Sequence, residues 1–134
     1  RMTTTDRSNA AATPAAKRLG FSATQIETGR ISFSGTLDPV HDADPSAVHA
    51  LTAAMLDDAL DRALRSVLAG GVAPAIVELK ISYARPYTSA NGVMTCEACV
   101  VDLGEHVGTA HARVTDEHAE IFVEADATCV IRRT

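Results

Sequence analysis

Between Asp44-Pro45 and Gly70-Gly71 the chain runs for about 24 residues without a glycine or a proline, roughly 36 Å at 1.5 Å per residue. Asp44 suits the N-cap of a helix and Pro45 its first turn, with Ser46 as the alternative cap. The glycine pair after Ala69 suits its end. Within it Leu56, Leu60, Ala63, Leu64 and Val67 recur at helical spacing, and alanine and methionine occupy both flanks of that stripe. Such a helix is apolar around much of its circumference. It has to be wrapped by other elements, and this requirement limits the fold more than any other feature of the sequence.

What surrounds the helix is read from period-two alternation. From about Gln25, Ile31, Phe33 and Leu37 alternate with Arg30, Ser32, Ser34 and Thr36. After the helix, Ile76 to Ala84 places Val77, Leu79, Ile81 and Tyr83 opposite Glu78, Lys80 and Ser82, which predicts a core position for Tyr83. Arg85-Pro86 closes that strand. Strands are predicted over 93–102, 106–115 and 119–131, with turns at Leu103-Gly104 and Asp116 to His118. Strand, long helix and four strands on short turns predict an α+β fold: one central helix on a five- to six-stranded antiparallel sheet, the last four strands as a meander. Residues 1–20 are small, polar and aperiodic and read as a flexible N-terminal tail; residues 21–134 read as a single domain.

Composition narrows the functions. Charged residues make up 22% of the chain and the formal net charge is -5, with no basic stripe, so nucleic acid is not an expected partner. No apolar run approaches a membrane span and no apolar leader begins the sequence, so no membrane partner and a cytoplasmic location are expected. The pair Cys96 and Cys99 falls within a predicted strand, where residues three apart face opposite sides. Strand packing is therefore the expectation, with no metal and no other cofactor.

The ordered set of Val77 to Pro86, Val100-Val101-Asp102-Leu103-Gly104, Ala112 to Asp116 and Ala127 to Ile131 resembles the hotdog-fold acyl-CoA thioesterases, in particular the phenylacetate-degradation type. The resemblance covers about residues 24 to 132. It implies a hotdog fold and a homodimer or tetramer, with the active site formed across the dimer interface. It also implies an acyl thioester, or a related small molecule, as ligand. In that family an Asn, a His-Gly-Gly motif and an acidic residue on the central helix carry the chemistry, and a backbone amide beside the glycines receives the oxyanion.

Carried onto this sequence, Val48-His49 matches the lead-in to the glycine pair, whose places are taken by Ala50 and Leu51. Asp44 lies near the asparagine position, and Ile76 stands where an assisting Ser or Thr is usual. The helix acid is Asp57 or Asp58, and helix phase favours Asp57. The resemblance thus makes Asp57 and His49 the catalytic candidates, and Ala50, Leu51, Ile76 and Arg85 the substrate-binding ones. Ala50-Leu51 together with Asp44-Pro45 predicts a helix that begins about one turn early, with its amides committed internally. His49 and Asp57 are eight residues apart, about 12 Å along one helix and about 80° apart around it, so they can cooperate only through a bound substrate or across a dimer.

Three functions remain open at this level. The first is hydrolysis of an acyl thioester on CoA or an acyl carrier protein, with secondary metabolism as one setting. The second is a dehydratase- or cyclase-type acid–base catalyst on a polyketide-like or aromatic intermediate. The third is a non-catalytic hotdog protein that binds a ligand.

Overall fold

The computed structural model describes residues 13–133. The long helix, α2, spans Pro45–Ser66. Its N-cap is Asp44, whose carboxylate accepts the amide of Ala47 at 3.2 Å, and Pro45 opens the first turn as expected. The helix closes at Ser66, four residues before Gly70, because its last turn tightens: Val67 N–H bonds the Leu64 carbonyl and Leu68 N–H bonds the Arg65 carbonyl.

Around α2 lies one six-stranded antiparallel sheet. Its strands are β1 (Phe21–Glu27), β2 (Arg30–Thr36), β3 (Val72–Tyr83), β4 (Val93–Leu103), β5 (Val107–Thr115) and β6 (Ile121–Arg133), in the order β1-β2-β4-β5-β6-β3. The inner face is lined where it meets the helix by small cross-strand pairs: Ala98 with Ala112, Ala110 with Ala127 and Ala112 with Ala125. These positions let α2 lie close to the sheet, so that Met55, Leu56, Ala59, Leu60, Ala63 and Leu64 are fully buried. The α+β arrangement predicted from the alternation and the long helix is the one observed.

Four details differ from the sequence expectation. First, the end of the predicted tail is ordered. Pro14–Leu19 form a short helix, α1, capped by Thr13, and bury Ala16 and Leu19; residues 1–12 lie outside the described part. Second, the strand at 30–36 is the second arm of a hairpin. In β1 a register shift between Ala23 and Gln25 breaks the period-two pattern of Phe21, Ala23 and Ile26, which hid the first arm. Third, only β4-β5-β6 form a meander. β3 pairs with β6 at the sheet edge, and residues 84–92 carry the chain back to β4. That edge position also accommodates Pro74 inside β3, which begins four residues before the predicted start.

The fourth correction concerns the aromatic residues near Pro86. Tyr83 is 38% exposed, not core. Tyr87 occupies the interior at that end instead, its hydroxyl 2.6 Å from the hydroxyl of Thr52 and its ring edge-on to Phe122. Burial pushes the Tyr87 phenol up to about 12.

Candidate functional site

An open groove of about 650 Å³ runs between α2 and the edge strand β3, lined by Ala53, Ala54, Asp57, Asp61, Ile76, Val77, Glu78 and Leu79. On the helix, positions 53, 54, 57 and 61 share one face by their spacing. The strand side is shaped by a bulge. Ile76 pairs with Cys129 and Glu78 with Thr128, leaving Val77 as the extra residue, 63% exposed. The bulge turns Ile76 and Leu79, three apart, to the same half-buried side, and it removes Val77 from the face the alternation had assigned to it.

Four acids lie in or beside this groove, and α2 distinguishes the three it carries. Asp58 accepts Arg62 Nε at 2.8 Å and Asp61 accepts Arg65 Nε at 2.7 Å, both pairs one helical turn apart. The residue one turn beyond Asp57 is Asp61, another acid. Among the described residues Asp57 has no hydrogen-bond or ion-pair partner. Partial burial and the neighbouring Asp61 charge raise its carboxyl above the usual range. Asp58 is also raised, by burial, against the opposing pull of Arg62. Glu78 is the acid on the β3 side.

Of the residues singled out from sequence, Asp57 and Ile76 line the groove together. Ala50 and Leu51 lie within α2, upstream of the groove. In a continuous helix from Pro45 their amides are bonded to carbonyls four residues back. His49 is exposed in the second turn, its ring stacked on Tyr83 with centroids 4.2 Å apart and planes 22° apart. The Tyr83 hydroxyl donates to the His49 carbonyl at 3.1 Å. Arg85 pairs with Glu120, and its guanidinium lies 5.3 Å from the Phe122 ring centre, an arrangement that anchors the start of the 84–92 connection. Sequence reasoning missed Ala53, Ala54, Asp61, Val77, Glu78 and Leu79 as groove residues. The helical stripe through Asp57 was the available signal for the first three.

Among the described residues no helix is long and apolar enough to cross a membrane. One long helix laid along the inner face of a six-stranded antiparallel sheet, with a groove against the edge strand, defines a hotdog protein. The family model of the thioesterase superfamily matches residues 46–122, and the chain belongs to that superfamily. No curated protein matches the sequence. Solved structures show the same fold at low identity. A thioesterase from Haemophilus influenzae superposes with a TM-score of 0.79 at 15% identity, covering 99% of this chain and 92% of that one. The PaaI protein of the E. coli phenylacetic acid degradation operon gives 0.72 at 18%, covering 91% and 85%. A Streptococcus mutans protein bound to acetyl CoA gives 0.71 at 14%, covering 86% and 90%.

Proposed function

We propose that this chain hydrolyses an acyl thioester, carried on CoA or an acyl carrier protein, slowly and with Asp57 as general base. The acyl group lies in the groove against Ala53, Ala54, Ile76 and Leu79. Asp57 takes a proton from water as the water oxygen attacks the thioester carbonyl; the C–S bond then breaks, and the leaving thiolate takes up the proton that Asp57 gives back, directly or through solvent. The observation that carries this reading is Asp57 itself, a groove carboxylate with raised proton affinity and, among the described residues that line the groove, no cation. His49 acts on the carbonyl from a second chain, because within one helix it is directed at Tyr83 and not at the groove. A homodimer joined along β3, whose outer edge has no strand neighbour among the described residues, supplies that second chain.

A second reading, a ligand-binding protein without hydrolysis, is favoured by one observation: α2 runs unbroken through Ala50 and Leu51, so those amides cannot receive an oxyanion. Thiol release from phenylacetyl-CoA and aliphatic acyl-CoAs separates the two. Hydrolysis predicts turnover above the uncatalysed rate but below about 1 per second, since loss of one oxyanion donor costs on the order of 10²–10³ in rate. Binding of the same thioesters with no thiol released by the native chain would establish the second reading and refute the first.

A further inference from the structure

The acid–arginine spacing along α2 leaves Asp57 in an unusual position. Asp58 and Asp61 each have an arginine four residues on, whereas Asp57 has Asp61 there. Residues at that spacing lie about 5–6 Å apart between Cβ atoms, close enough for one charge to act on the other in a partly desolvated groove. Arg65 Nε, 2.7 Å from Asp61, holds its carboxylate in place. Asp61 thus presents a steady negative charge one turn from Asp57, on the same groove face.

We propose that Asp61, held by Arg65, is a positioning residue whose fixed charge adds to the proton affinity of Asp57. The proposal rests on the reading of Asp57 as the working base and extends it to the pair that tunes that base. The direction of the effect is determined by the surroundings. Facing Asp57 from β3 is Glu78, with Ile76, Val77 and Leu79 apolar beside it; from α2 come Asp58, already engaged by Arg62, and Asp61. No cation lines the groove among the described residues, and the charge that acts on Asp57 is that of Asp61, one turn along α2. A base in such a field holds its proton to higher pH and takes one from water more readily once ionised. The raised carboxyl of Asp57, lifted first by partial burial and further by the Asp61 charge, accords with this.

The two members of the pair predict opposite signs. Asp61→Asn removes the negative charge, so Asp57 ionises at lower pH. Arg65→Gln removes the positive charge that partly offsets Asp61, so Asp57 ionises at higher pH. Asp61→Glu keeps the charge and stays near the native value. The direct experiment is a carboxyl ¹³C NMR titration of the full chain, with Asp57→Asn to assign the Asp57 signal, run beside the pH profile of thiol release. The expected result is an Asp57 midpoint displaced downward in Asp61→Asn and upward in Arg65→Gln, with the acid limb of the rate profile following both. A midpoint unmoved in Asp61→Asn, or displaced in the same direction by both variants, overturns the proposal. A native chain that releases no thiol while the midpoints move as described refutes the hydrolytic reading and leaves the tuning by Asp61 standing.

Discussion

The ring of His49 stacks on Tyr83 at 4.2 Å between centroids, and the Tyr83 hydroxyl closes the contact on the His49 carbonyl. His49 is thereby directed along β3 and away from Asp57 of its own chain. If the two residues serve one reaction, they do so from different protomers. Mixing inactive His49→Ala with inactive Asp57→Ala, with subunits exchanged by unfolding and refolding together, is expected to restore about a quarter of native activity. Half the dimers are then mixed, and each mixed dimer has one intact site. A mixture as inactive as its components contradicts a shared site.

Thr52 and Tyr87 bury their hydroxyls against each other at 2.6 Å and so tie α2 to the connection that returns from β3 to β4. Tyr87→Phe leaves the Thr52 hydroxyl unpartnered in the interior, at an expected cost of about 1–3 kcal/mol in stability. Denaturant unfolding measures this. Replacing Thr52 by Val in the same chain should recover part of the loss, since the orphaned group is then gone.

Gly35 in β2 faces the backbone of Gly20 and Phe21, where α1 hands over to β1, and a Cβ placed on it would collide with the Gly20 carbonyl oxygen. Backbone on both sides cannot move aside as a side-chain tip can. Gly35→Ala is therefore expected to destabilise by more than about 2 kcal/mol. A thermal melt close to the native one would show that α1 and the first hairpin yield more easily than their packing implies.

Much of the fold could be read from the sequence because α2 and β4 to β6 obey simple periods and end on turn residues. The parts that were missed are those in which a local irregularity defeats the period. The shift near Thr24 hid β1, the bulge at Val77 misassigned one face of β3, and the pairing of β3 with β6 rather than β4 depends on long-range contacts no local pattern encodes. At the site, the helix start was legible from Asp44-Pro45, because a cap and a first-turn proline act locally. The stacking of His49 on Tyr83 and the burial of Tyr87 in place of Tyr83 depend on how β3 crosses the helix, and only the structure shows that.

Because its folded-state affinity for protons is raised, ionised Asp57 opposes folding; the protonated form is the one the groove favours. Its relative contribution is thus most favourable at acidic pH and is lost as pH rises through its folded value. Asp57→Asn is expected to stabilise the chain slightly near neutral pH, by a few tenths of a kcal/mol for so exposed a group, and the gain should vanish as the solution is made acidic. Melting temperatures of both chains across that range test the sign.

The central claim is that Asp57, and not its neighbour Asp58, carries the chemistry of the groove. Single-turnover thiol release from one acyl-CoA substrate by the native chain, Asp57→Asn and Asp58→Asn tests it most directly. Loss of a general base predicts a fall of about 10²-fold or more in Asp57→Asn. Asp58→Asn should stay within a few-fold of native, because Asp58 is engaged by Arg62 and does not line the groove. An Asp57→Asn chain as fast as the native one, or an inactive Asp58→Asn chain beside an active Asp57→Asn chain, would contradict the account.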